Sequence, residues 1–338
     1  MPRRTLTVDE SLVQGHSLVE TPFNYSQLDF DLRIASKGIP ILNQMAHHDR
    51  LKIKRLIVYS STPHDPAKHE IRRIKSLLPS VIYLHVHQLY GQTTSVVLRQ
   101  FHVNLVSLTL AGSLILPPRG TIQFPTLEKL VVTTEPYDST MIIWVDQHVA
   151  APQLKYLALS VDLSIESVRE YVPEISRTFA AHLEILRVRS TDNDCRGIDS
   201  DETNALCLRG LKSLRRLILE ACWVPHLLAY EQMTRDDFPS LRQFVLEEDW
   251  QGIYERGSNM RSWSWSAIRG AVEAIQNCLE LGESIDVCFG YPAAHGEEVQ
   301  SSSQARIVER RLDEDDPDGD YIQVHQIVLP KIPPIRVL

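Results

Sequence analysis

Eight segments of the chain repeat one pattern: apolar, two residues, apolar, one residue, apolar. They begin at Ile53, Val81, Leu105, Leu127, Leu154, Leu183, Leu214 and Leu241, with successive starts 28, 24, 22, 27, 29, 31 and 27 residues apart. A period of about 20–50 residues constrains the fold more than any other property, because a unit that small cannot bury its own apolar face and must stack on its neighbours. The last positions of each copy alternate with the two-residue period of a strand. In the copy at Leu214, Leu217 and Leu219 are expected to point into the stack, while Arg216, Ile218 and Glu220 point away. Neighbouring strands are then expected to pair in parallel.

This motif at this period marks leucine-rich repeats. The expected fold is α/β: a leucine-rich-repeat solenoid with a curved parallel sheet and helical or irregular connectors on its outer face. Residues 1–27 form a poorly defined N-terminal segment, 28–294 the solenoid with its capping elements, and 295–338 an acidic hairpin with a Pro-rich tail. A capping strand is expected from Leu28 to Ile34, then a helix from Ile39 to His48, and a last strand near Ile285–Phe289. Helical spacing of apolar residues predicts connectors at Glu70–Leu78, Met141–Ala151, Ser164–Ala181 and Ser266–Leu281. Pro173 falls inside the third and is expected to kink or split it. Pro79, Pro125, Pro152 and Pro239 each sit shortly before a motif, where proline would end a helix and hold the chain extended. Two alternating runs, Ile307–Leu312 and Tyr321–Leu329, flank the acidic run Asp313–Asp320 and read as a hairpin.

Bulk properties exclude several classes. With 43% hydrophobic and 23% charged residues the chain is ordinary globular protein. A net charge of −8 argues against a general affinity for nucleic acid or anionic lipid, since phosphate binding depends on Lys and Arg, although local basic clusters stay possible. No apolar run approaches the roughly 20 residues that span a bilayer, so no membrane role is expected. Met1–Glu10 lacks the apolar centre of a signal peptide. Cys195, Cys207, Cys222, Cys278 and Cys288 are scattered and odd in number, as expected for reduced thiols in a cytoplasmic or nuclear protein.

The run from Leu28 to Val58, where His47-His48-Asp49-Arg50 precedes Leu56-Ile57-Val58, resembles the leucine-rich-repeat region of fungal F-box proteins. So do Ala151–Leu159 and the two Phe-Pro-x-Leu lead-ins at Phe124 and Phe238. The resemblance spans roughly residues 28–290 and implies a protein-recognition module, as in the substrate-recognition subunits of ubiquitin ligases. Nothing in Met1–Phe30 resembles the Leu-Pro-x-Glu-like opening of an F-box, so no residue for the ligase adaptor is carried over. Eight residues after each start, where many such repeats place Asn or Cys, only Cys222 fits. Irregular connectors are therefore expected.

A protein partner is expected on the concave strand face. The outward positions chosen for it are Tyr59, Tyr83, His85, His87, Tyr156, Arg187, Arg189, Arg216 and Glu220. Tyr and Arg are enriched at binding hot spots, and the three arginines are expected side by side on adjacent strands. An unused, solvated sheet face is the plain alternative. His85 and His87, with His47, His48 and Asp49, invite a metal-dependent enzyme as another reading, but nothing in the sequence brings the two groups together. The acidic run has Gly319 where a calcium loop has its glycine, yet His325 stands where that loop needs a bidentate Glu. Trp250, Trp263 and Trp265 read as packing of the last repeats or as an aromatic peptide patch. No phosphate-binding loop, dinucleotide fingerprint, nucleophile elbow or His-Glu-x-x-His is present. The expectation is a binding protein, not an enzyme, with no cofactor; a solenoid that inhibits an enzyme by covering it is indistinguishable at this stage.

Overall fold

A computed structural model describes residues 4–8, 25–59, 68–87, 92–112, 120–135, 138–162, 166–190, 208–220, 235–247, 286–292, 307–311 and 322–327. The chain forms two compact units, Met1–Leu183 and Glu184–Leu338.

In the first unit, seven strands pair in parallel and in chain order: β1 (Arg4–Val8), β2 (Tyr25–Asp31), β3 (Arg55–Tyr59), β4 (Tyr83–His87), β5 (Ser107–Ala111), β7 (Lys129–Thr133) and β9 (Tyr156–Val161). Two short strands in the connectors, β6 (Ile122–Gln123) and β8 (Val149–Ala150), pair separately with each other. The register aligns one apolar ladder, Leu28, Leu56, Leu84, Leu108, Leu130 and Leu157, and a second, Phe30, Val58, Val86, Leu110, Val132 and Leu159. Every motif residue with a described side chain, in both units, is at most 3% exposed. Each such Leu, Ile or Val contributes about 1.5–3 kcal/mol by leaving water, so the motif is the core.

Helices return the chain between strands: α1 (Ala35–Gln44), α2 (His47–Arg50), α3 (Lys68–Leu77), α4 (Gln92–Phe101), α5 (Thr140–His148) and α6 (Glu166–Thr178). Neighbouring helices pack as α1 on α3, α3 on α4 and α5 on α6. All but the short polar α2 turn apolar residues inward, as in Ile71 and Ile74 of α3 and Val172 and Ile175 of α6. None of the described helices is long and apolar enough to cross a membrane.

In the second unit, β10 (Ile185–Ser190), β11 (Arg216–Glu220), β12 (Gln243–Glu247) and β13 (Asp286–Pro292) pair in parallel. The order ends with β15 (Ile322–Ile327) antiparallel to β13, and β14 (Ile307–Arg311) antiparallel to β15. The expected hairpin is therefore present and added to the parallel strands. Within each unit the parallel strands follow chain order, and in the first unit helical or irregular connectors join them over an apolar stack; this is an α/β leucine-rich-repeat solenoid.

Several details differ from the sequence reading. Arg4–Val8 is a strand, β1, inside the segment taken as poorly defined. The helix expected at Ile39–His48 starts at Ala35 and stops at Gln44, with His47–Arg50 a separate turn. Helix α4 stands where the apolar spacing predicts no helix. Pro173 does not split α6, which runs through it from Glu166 to Thr178. The prolines before the strands do not hold the chain extended; they turn it. Backbone bonds from Val81, Leu127, Leu154 and Leu241 to the carbonyls of Leu78, Phe124, Ala151 and Phe238 close four-residue turns with proline second. Proline's fixed φ suits that position. Asp162, eight residues after Leu154, is fully buried and so occupies the place usually given to Asn or Cys. The helix expected at Ser266–Leu281, the tryptophan cluster, the calcium-loop look-alike and the Pro-rich tail lie outside the described residues.

Candidate functional site

Opposite the apolar ladders, strands β2, β3, β4, β5, β7 and β9 offer their other side chains in three rows. The first row runs Gln27, Arg55, Tyr83, Ser107, Lys129, Tyr156; the second Asp29, Ile57, His85, Thr109, Val131, Ala158; the third Asp31, Tyr59, His87, Ala111, Thr133, Ser160. Successive members are about 4.8 Å apart, the strand spacing. Most are half-buried, His87 is exposed, and Asp31 and Ala158 are buried.

Register creates contacts along these rows. Arg55 and Tyr83 are opposite each other, and the guanidinium lies 5.9 Å from the ring centroid. Lys129 and Tyr156 are also opposite, with Nζ 4.8 Å from the ring. Such contacts contribute about 0.5–1 kcal/mol at exposed sites and hold both partners in place. His85 and His87 meet edge to face, 6.0 Å between centroids. At the β2 end, Gln27 Nε2 donates to Asp29 Oδ1 at 2.9 Å. Burial pushes the Asp29 carboxyl up from its ordinary range, against the opposing pull of that bond and of Arg55. Asp31, beside it, accepts from the Arg33 backbone N–H and guanidinium and caps the turn Leu32–Ile34.

The structure places the chosen residues as follows. Tyr59, Tyr83, His85, His87 and Tyr156 all lie on the outward rows of the first unit. Tyr59 and His87 are opposite each other, while Tyr156 is three strands from Tyr83. In the second unit Arg216 is opposite Ile185, and Arg187 opposite Ile218. Arg187 and Arg216 are thus diagonal neighbours, whereas Arg189 lies further along β10 and Glu220 at the end of β11. Arg187, Arg189 and Arg216 are half-buried, and Ile218, outward on β11, is buried. Arg55 and Lys129 were not among the chosen residues. Their partners were legible only once register was known, because Arg55 and Tyr83 are 28 residues apart in sequence.

The two histidine groups stand on different elements: His47 and His48 on α2, His85 and His87 on β4. His48 Nε2 lies 3.2 Å from Asp49 Oδ1, and Lys52 Nζ binds the same oxygen at 2.9 Å. Among the described residues, no group of three or more His, Cys, Asp or Glu side chains is placed to hold a metal ion.

No protein-family model and no curated protein matches this sequence. Among solved structures, the chain is similar to the leucine-rich repeat-containing protein LegL7 from Legionella pneumophila. The identity is 14% and the TM-score 0.41, over 80% of this chain and 98% of that one.

Proposed function

We propose that this chain is a non-enzymatic recognition module that docks a protein partner on its outward, concave strand face. One observation carries the reading: aromatic and basic side chains are aligned across neighbouring strands and held by one another, as Arg55 is by Tyr83 and Lys129 by Tyr156. Side chains already ordered lose less entropy when a partner arrives, and Tyr and Arg supply large contact area per residue ordered. Tyr59, Tyr83, His85, His87 and Tyr156 are the proposed contact residues of the first unit, and Arg187, Arg189, Arg216 and Glu220 those of the second, each unit taken by itself. We further propose, from the resemblance to fungal F-box proteins, that the partner is a substrate for ubiquitination and that the module works in the cytoplasm or nucleus.

The test is affinity capture with the wild-type chain, with Tyr83→Ala/Tyr156→Ala, and with Ser36→Ala, at an exposed position, as a control on α1. Partners lost with the strand-face variant and kept with the control support the reading. Identical partner sets from all three overturn it. Ubiquitination of a captured partner in a reconstituted ligase assay tests the finer claim.

A further inference from the structure

Charge is distributed unevenly along this chain. Between Arg33 and Leu110 there are eleven Lys and Arg against three Asp and Glu, within a chain of net charge −8. Structure gathers part of this excess on one helix. Ile71 and Ile74 turn the inner face of α3 to the core, and Lys68, His69, Arg72 and Arg73 are exposed on the outer face. Lys37 is exposed on α1 and Arg99 on α4, the two helices packed against α3. Among the described residues, the side chains of Lys37, Lys68, His69, Arg72 and Arg73 form no hydrogen bond or ion pair. Among the described residues, the acidic groups of this layer are Glu70, half-buried on α3 itself and already engaged, and Asp49 on α2, bound by Lys52 and His48.

The complement is on the same chain. Asp313, Glu314, Asp315, Asp316, Asp318 and Asp320 place six carboxylates in eight residues. This run links β14 to β15, whose antiparallel pairing includes Arg311 with Gln323. The four exposed basic or imidazole side chains of α3 lie along ten residues, about 15 Å of helix axis, and are opposite in charge to this run.

We propose that the outer face of α3 docks the acidic run of a second copy, giving head-to-tail self-association. A contact between two different patches of one chain is heterologous, so it continues from copy to copy unless its rotation closes a ring. Its attraction is electrostatic and lies at the surface, so it weakens as salt shortens the screening length from about 10 Å at 0.1 M to about 3 Å at 1 M.

Sedimentation of the full chain over a concentration series, at low salt and at about 0.5 M salt, tests this. The expected result is a mass that grows with concentration at low salt and falls to one copy at high salt. Arg72→Glu/Arg73→Glu and, separately, Asp315→Lys/Asp316→Lys are each expected to weaken association about ten-fold or more, and the combined charge swap to restore it. Arg72 and Arg73 are exposed, so the variants are expected to fold, which circular dichroism melts check. A synthetic peptide of residues 312–321 is expected to dissociate the assembly. A single-copy mass under all conditions overturns the proposal, as does association indifferent to reversal at Arg72 and Arg73. Salt-dependent compaction at constant mass overturns it in favour of contact within one chain. Binding of duplex DNA or anionic vesicles by α3 without self-association assigns the helix to another ligand and also overturns it.

Discussion

At the scale of single residues, Lys75 is the informative exception to an apolar interior. Its Nζ is buried, hydrogen-bonds to nothing among the described residues, and lies 4.9 Å from the centroid of Phe101. The ring recovers part of what water gave the cation. Loss of water still dominates, and the amine is held below its ordinary value of 10.5. The folded chain therefore binds this proton more weakly than the unfolded chain does. Stability rises as pH climbs through the folded pKa and levels off above 10.5. Lys75→Met keeps the stem and removes the charge. Because the side chain is partly exposed and screened by solvent, the variant is expected to be more stable at neutral pH by at most about 1 kcal/mol. That gain fades as pH approaches 10.5, so chemical denaturation of both proteins across pH 7–11 checks it. A constant gap would mean that Lys75 does not titrate differently in the two states.

At the scale of elements, the strands were legible and the connectors only in part. Strand position follows from three apolar residues at fixed offsets, and the alternation also says which side chains face outward. Helix α4 was hidden because Val96 and Val97 are β-branched, read as readily as strand, and stand just ahead of the next motif. Strand β1 was hidden because Leu6 and Val8 alternate within a segment that is polar by count. Proline before a strand marks a turn and not an extended entry, and the turn, with Phe124 or Phe238 buried at its first position, is the unit. Phe124→Ala is expected to destabilise the first unit by about 3–5 kcal/mol, and Pro125→Ala by only about 0.4–1 kcal/mol through the unfolded chain. Equal losses in urea denaturation would refute this division of labour. Pro173 presents the opposite case. The buried stripe of Val172 and Ile175, with Phe179 just beyond the helix, holds α6 helical across a residue that donates no backbone bond. Pro173→Ala is therefore expected to stabilise the chain by about 1–3 kcal/mol, read as a higher denaturation midpoint with unchanged slope. No gain would mean that the missing bond is already compensated.

At the scale of the molecule, a stack of repeats has no central core, since each rib meets mainly its two neighbours. That explains why the outward rows could be named from sequence and their energetic partners could not. A row is the product of period, whereas Arg55 meeting Tyr83 or Lys129 meeting Tyr156 depends on how two repeats of unequal length come into register. The turn bonds that set this register pass from one rib to the next: Ile82 to Lys54, Val106 to Ile82, Glu128 to Val106, Lys155 to Glu128. Damage should follow the same route. Leu108→Ala, at a fully buried position of β5, is expected to cost about 2–5 kcal/mol. Its loss should speed amide exchange most in β4, β5 and β7, and least in β11 and β12 of the second unit. Exchange that rises equally everywhere would show that the ribs unfold as one block, and a nearest-neighbour description of this chain would have to be abandoned.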